Sequence, residues 1–383
     1  MVNYKFIVSR KFQVQRYIRY IDYYKIPASQ VEFYDVSQWT SGDCSNDFPE
    51  VYKIRKVRRP SFLDKQSFGN IRHYMVCMLM IYRNLIRQLF SRGDSQSVIF
   101  IDQYFSPFEI LALVESLSRK NHIVIHQHAI NCKNQLERSF KKNILDIITH
   151  QLIAIIFNLG FFELRYIGFA STRYGYDLFS KSFSQKNVYL VGDINLSKLT
   201  KSSNKGRRDT SRKAIGLISP GMYRYSVPEL FQAQSDFFES CESVIKNQFL
   251  DFKVVYRPKP GEQSADFQKV TICDDSVDFY EFIGSVDVVV TSPISTTWVE
   301  AIFLRKDVVI VRNRPLEKEY PKLFELFMLL SRELPDEFSE LVAGSVYYIT
   351  KDNTGSVIPY LNKHIPDFQD PFYLAGKLQW QKL

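Results

Sequence analysis

Short apolar runs rich in Val and Ile alternate with helix-length amphipathic segments along this chain, and they do so twice. That alternation is the signature of βαβ units and parallel sheets. In the first block, Tyr4–Val8, Val31–Val36, Ser97–Asp102, His122–His126 and Asn187–Val191 read as strands. Phe12, Val14, Tyr17, Ile18, Ile21 and Tyr24 recur at helical spacing, which predicts a helix over Phe12–Tyr24. Further helices are predicted over 71–90, 107–118 and 143–162. In the second block the predicted strands are Ala214–Ile218, Phe252–Tyr256, Val270–Ile272, Val286–Val290, Val308–Val311 and Val346–Ile349. Helices are predicted over Pro228–Gln248, Ser276–Ile283, Thr296–Leu304 and Ser356–His364.

Between the blocks, 198–213 carries Lys198, Lys201, Lys205, Arg207, Arg208, Arg212 and Lys213 against Asp209, with almost no apolar residue. It reads as a linker or exposed loop. The expected organisation is therefore an α/β domain over 1–197, the basic segment 198–213, and a second α/β domain over 214–350. A tail over 351–383 could pack back on the first domain. Two such domains offer a cleft at the carboxyl ends of their strands, the usual ligand position. A chain of 383 residues has room for two domains at roughly 100–200 residues each.

Composition excludes several classes. Hydrophobic residues at 45% and charged residues at 24% exclude a disordered or collagen-like chain. The five cysteines (44, 77, 132, 241, 273) are widely spaced with no CxxC pair, so neither a disulfide framework nor a zinc knuckle is signalled. The net charge of +9 suits an anionic partner but names none. Basic residues are dispersed and no RRM, KH or zinc-finger signature appears, so no nucleic-acid partner is expected. The first residues lack a signal-peptide core, and the most apolar segment, 152–162, is too short to span a bilayer. A cytoplasmic protein is expected, with peripheral contact to an anionic membrane through 144–162 and the basic segment as one alternative; the other is a core helix and a solvated loop. The fingerprints G-x-G-x-x-G and G-x-x-x-x-G-K-[ST] are absent, which disfavours NAD-dependent dehydrogenases and P-loop NTPases.

Two stretches concentrate chemistry. One strand runs into Thr291-Ser-Pro-Ile-Ser-Thr-Thr297, and Glu300 follows on the first helical turn. Ser295 and Thr296 then sit where free backbone N–H groups favour an anion; plain helix capping explains the same residues. The other strand ends in Arg257-Pro-Lys-Pro260, where prolines stiffen a turn carrying Arg257 and Lys259. A basic surface turn is the alternative. In the first block, Asp102 closes a buried strand as a candidate base, or as a loop aspartate bound to its own backbone. His126 and His128 share a strand face and could be a metal pair, line an acceptor site or be satisfied structural histidines. No carboxylate or thiol stands at ligand spacing, so no metal is expected.

Residues 214–311 resemble the C-terminal domain of GT-B glycosyltransferases that build bacterial surface polysaccharides, in the branch of capsule, sialic acid and Kdo transferases. That family's strand ends in Arg/Lys-Pro-His-Pro, and a later strand runs into Ser-Ser/Thr followed by Glu-Ala; Lys259 takes the place of the histidine here. The resemblance implies a two-domain Rossmann-like fold facing a cleft and a metal-independent, inverting transfer with no cofactor beyond the donor. Arg257, Lys259, Ser295, Thr296 and Glu300 would hold a nucleotide sugar, commonly CMP-activated, with Asp102 as base and His126 and His128 on the acceptor side. The acceptor would be a glycan or lipid-linked glycan of a capsule, O-antigen or lipooligosaccharide. His126-Gln127-His128 also resembles the Gln-His-Gly of glycerol-phosphate polymerising enzymes, which makes a CDP-polyol phosphotransferase the alternative. A non-catalytic glycan-binding module is the third.

Overall fold

The computed structural model describes residues 3–9, 11–39, 47–57, 97–102, 122–127, 166–182, 187–194, 196, 213–222, 228–259, 262, 270–273, 277, 279–332, 334 and 346–369. The predicted helices over 71–90, 107–118 and 143–162, the basic segment over 198–212, and His128 lie outside the described residues. The chain forms two compact units. Among the described residues, the first unit runs to Ile194 and resumes at Asp367, and the second spans Leu196–Pro366.

The first unit is built on a seven-stranded sheet: β1 (Asn3–Val8), β2 (Val31–Asp35), β3 (Lys53–Lys56), β4 (Ser97–Asp102), β5 (His122–His126), β6 (Tyr166–Ala170) and β7 (Val188–Leu190). Its order is β3-β2-β1-β4-β5-β6-β7, and every pairing is parallel. Helix α1 (Lys11–Tyr23) follows β1 and buries Val14, Tyr17 and Ile21 against one sheet face. There Phe6 stacks on Phe33 and Phe100 at ring-centroid distances of 5.3 and 4.5 Å, and Tyr17 closes on Phe6 at 5.1 Å. Helix α2 (Arg173–Ser182) follows β6. Phe368 packs on Tyr20 and Tyr23, and the Gln369 amide donates to the Val191 carbonyl.

The second unit carries a six-stranded sheet: β8 (Ala214–Ile218), β9 (Lys253–Arg257), β10 (Thr271–Ile272), β11 (Val288–Thr291), β12 (Asp307–Val311) and β13 (Val346–Ile349). Its order is β10-β9-β8-β11-β12-β13, parallel except for the antiparallel β12–β13 pair. Helix α3 (Pro228–Gln248) opens on a proline, whose missing N–H is no loss in a first turn. It buries Leu230, Ala233, Phe237, Cys241 and Val244, the helical spacing of one apolar face. Among the described residues, the other α-helices of this unit are α4 (Phe279–Ser285), α5 (Thr297–Phe303), α6 (Arg314–Glu319), α7 (Glu325–Arg332) and α8 (Lys351–His364). Helix α8 packs on α5 and α7 and buries Thr354, Val357 and Leu361.

In each sheet the first strand lies between the second and the fourth, the order of a doubly wound Rossmann-like sheet. The α/β expectation holds. Strands β3 and β6 and helices α2, α6 and α7 were not legible as elements in the sequence. Strand β3 is Lys-Ile-Arg-Lys, an edge strand whose charges hide the apolar pattern and protect the edge.

Candidate functional site

In a doubly wound sheet, ligands bind beyond the carboxyl ends of the strands where the strand order reverses. In the first unit that point lies between β1 and β4, and a polar network fills it. Ser9 leaves β1, and its N–H and hydroxyl donate to Gln13 Oε1 at 2.7 and 3.2 Å. Gln13 Nε2 donates to Asp102 Oδ2 at 2.9 Å. Arg16, one turn along α1, places Nη1 3.6 Å from the same carboxylate oxygen and 2.9 Å from the Gln127 carbonyl. Burial opposes the Arg16 charge, but Asp102 and Asp193 more than offset it and raise the guanidinium above its ordinary pKa. Asp102 is fully buried. It is a paired interior carboxylate here, with no solvent-facing surface.

His126 is the register partner of Asp102 on the neighbouring strand. Its ring lies among Tyr20, Phe169, Tyr17 and Phe100, with centroids 4.6 to 6.4 Å away. Burial, assisted by the Arg16 charge and opposed by Asp102, pushes its pKa well below the ordinary histidine value. The imidazole is therefore neutral near pH 7. Its Nε2 is buried and has no hydrogen-bond partner among the described residues.

Gln127 organises the start of α2. Its Oε1 accepts the Ser171 and Thr172 amides at 2.8 and 3.1 Å, and its Nε2 donates to Thr172 Oγ1 at 3.2 Å. Gly175 makes room for it: a Cβ there would stand 2.0 Å from Gln127 Oε1. Gln13 and Arg16 were missed in the sequence, and Gln127 entered only as the middle of His126-Gln127-His128. The available signal for Gln13 and Arg16 was two polar residues at i and i+3 in the first turns of the helix that follows an apolar strand.

In the second unit the strand order reverses between β8 and β11. Ser219 leaves β8, and Gly221 follows at φ 69°, a left-handed conformation suited to glycine. Ser219 Oγ accepts the Gly221 amide at 3.1 Å and donates to Glu262 Oε1 at 2.8 Å. Glu262 also accepts from Gln234 of α3 and, through Oε2, from the Lys259 amide at 2.8 Å. One carboxylate thus ties the β8 exit, the β9 exit and α3 together. Glu262 was missed because nothing in the local pattern marks it.

Arg257 ends β9. Its Nη2 donates to the Val277 carbonyl at 2.8 Å, and its guanidinium lies over Phe279 and Phe282 at 5.7 and 5.3 Å. This arginine braces the approach to α4. Beyond β11, Ser295 Oγ and Thr297 Oγ1 share a hydrogen bond of 2.8 Å. Thr296 is the N-cap of α5 but makes no side-chain cap bond. Glu300 accepts from the Tyr280 hydroxyl at 3.4 Å. Thr291 Oγ1, at the end of β11, is buried with no hydrogen-bond partner among the described residues. The structure thus brings Arg257, Lys259, Ser295, Thr296 and Glu300 to the carboxyl side of one sheet. Asp102 and His126 share the carboxyl side of the other. Among the described residues no group of three His, Cys, Asp or Glu side chains could hold a metal, and no helix is long and apolar enough to cross a membrane.

No protein-family model matches the chain, and no curated protein sequence matches it. Solved structures do resemble it. The wall teichoic acid polymerase TagF, as a variant, aligns with TM-score 0.51 and 9% identity over 100% of this chain and 88% of that one. CalG4, the calicheamicin glycosyltransferase, aligns with TM-score 0.51 and 11% identity over 99% and 97%. A protein assigned as UDP-N-acetylglucosamine 2-epimerase from Listeria monocytogenes aligns with TM-score 0.50 and 12% identity over 97% and 93%. At such identities the likeness concerns the fold. The fold is the two-domain, Rossmann-like GT-B type.

Proposed function

We propose that this chain is a glycosyltransferase that takes a sugar from a nucleotide donor held at the carboxyl side of the second sheet. The observation that carries the reading is that Arg257 and Lys259 at the β9 exit and the 291–297 hydroxyls at the β11 exit lie on the carboxyl side of the same sheet, on either side of β8. Cationic side chains there would neutralise the leaving phosphate, and Glu300 would accept a ribose hydroxyl. The motif resemblance favours a CMP-activated acidic sugar and a bacterial surface glycan as acceptor. The resemblance makes Asp102 the base and His126 an acceptor-side residue, roles that their burial opposes, and it makes the transfer inverting and metal-independent. Peripheral contact with an anionic membrane would serve a lipid-linked acceptor.

A thermal-shift series with CMP, CDP, UDP and GDP tests the donor site. A ligand at 100 times its dissociation constant adds about 2.7 kcal/mol of stability. A selective CMP response supports the acidic-sugar branch, and a UDP or GDP preference discards that branch. Silence from all four removes the basis for a donor site.

The ending His126-Gln127 on β5 favours one second reading, transfer of a polyol phosphate from a CDP donor. TagF, a wall teichoic acid polymerase by name, shares the fold. Product mass separates the two readings, because only the second adds phosphorus to the acceptor.

A further inference from the structure

Strands of a parallel doubly wound sheet are normally apolar on both faces. Strands β1–β3 depart from this on the face opposite Phe6 and Phe33. Lys5 pairs in register with Glu32, and Glu32 with Lys53, so three charged residues line up across three neighbouring strands. Arg55 stands two residues beyond Lys53 on the same face. Lys5 is only 3% exposed. Glu32 accepts from Lys53 Nζ at 2.9 Å, Arg55 Nε at 2.5 Å and the Tyr34 hydroxyl at 2.7 Å. These charges border an open cavity of about 520 Å³ that Asn3 and Gln30 also line. That volume falls within the range of roughly 300–1,000 Å³ typical of small-molecule sites.

Among the described residues, the lining carries three cations, Lys5, Lys53 and Arg55, and one carboxylate, Glu32. A purely anionic ligand would meet repulsion from Glu32. A ligand carrying both an anionic group and hydroxyls would suit every wall, with the cations on the anion and Glu32 or the amides on hydroxyls. We infer that this cavity, at the amino-terminal side of β1–β3, binds an anionic saccharide bearing a carboxylate or phosphate. Such a unit could be a free sugar phosphate or a residue of an acidic glycan. The site lies away from the carboxyl ends of the strands and needs no nucleotide, so it stands or falls separately from the donor site.

Isothermal titration of the full chain with inorganic phosphate, glucose 6-phosphate and a galacturonic acid trimer tests it. Both saccharides should bind more tightly than phosphate. Tighter binding of the trimer assigns the site to a glycan chain, and tighter binding of glucose 6-phosphate to a free sugar phosphate. Lys53→Gln with Arg55→Gln should weaken saccharide binding about tenfold, the scale of losing one charge-assisted hydrogen bond. Lys53 and Arg55 have side chains 65% and 35% exposed, so the fold should survive with a modestly lower melting temperature as Glu32 loses both cations, and circular dichroism at the titration temperature checks this. Glu32→Gln should narrow the preference over inorganic phosphate. Absence of saturable binding, or equal affinity in the double variant, overturns the inference.

Discussion

Arg16 and Asp102 meet inside the first unit with Nη1 and Oδ2 3.6 Å apart, and their side chains are 7% and 0% exposed. Removing one member of such a pair leaves a buried charge without compensation, which costs about 3–5 kcal/mol. Arg16→Met or Asp102→Leu alone should therefore destabilise the protein strongly. The double variant should lose less than the two single losses added together. Urea unfolding of the four proteins measures the coupling, and additive losses would show that the pair is not energetically linked. Asp102→Asn also leaves the Arg16 charge uncompensated, so it should lower the melting temperature, and lost transfer in that variant alone does not assign Asp102 as a base.

His126 should make stability depend on pH. Its folded pKa lies well below the ordinary value, mainly through burial. The unfolded imidazole titrates near about 6.5. Below that pH the unfolded chain binds the proton first, so stability falls as pH drops from about 7 towards the folded pKa. His126→Phe removes the titration and the unpartnered Nε2 together. Urea midpoints at several pH values between about 5 and 7.5 should show a shallower slope in the variant. Parallel slopes would mean that His126 is not the responsible group.

Gly175→Ala should destabilise α2. The new Cβ would meet the Gln127 amide, which is already committed to the Ser171 and Thr172 amides. Shifting Gln127 would break those bonds at about 1 kcal/mol each, with further loss if the buried donors stay unsatisfied. Thermal unfolding should show the loss. An unchanged midpoint would mean that the Gln127 side chain can move aside freely.

The sequence exposed the strands best where apolar runs are uninterrupted, as in β4, β5 and β11. It also placed Asp102, His126 and Arg257 at strand ends and Ser295 where a helix begins, because local pattern and strand direction alone decide that. It concealed β3, whose charges mask the pattern, and β6, where Gly168 breaks a short run. That glycine lies against Phe179, whose Cδ1 would stand 2.9 Å from an added Cβ. Partners far apart in the chain were also hidden. Gln13 reaches Asp102 across 89 positions, and Ser219 reaches Glu262 across 43, so no local spacing could reveal either contact.

Glu262 should govern the order of the donor-side turns. Its carboxylate accepts from Ser219, Gln234 and the Lys259 amide, and the Gly221 amide depends on it through Ser219. Glu262→Ala would leave these donors to find water or each other, a loss of about 1–2 kcal/mol for partly exposed groups. Hydrogen exchange at the Lys259 and Gly221 amides should accelerate in the variant, because both would lose their acceptor geometry. Nucleotide affinity should fall with them if the β8 and β9 exits hold the donor. Faster exchange with unchanged affinity would confine Glu262 to a structural role. Unchanged exchange at both amides would show that the turns are ordered by other contacts, and the clasp would lose its significance for the site.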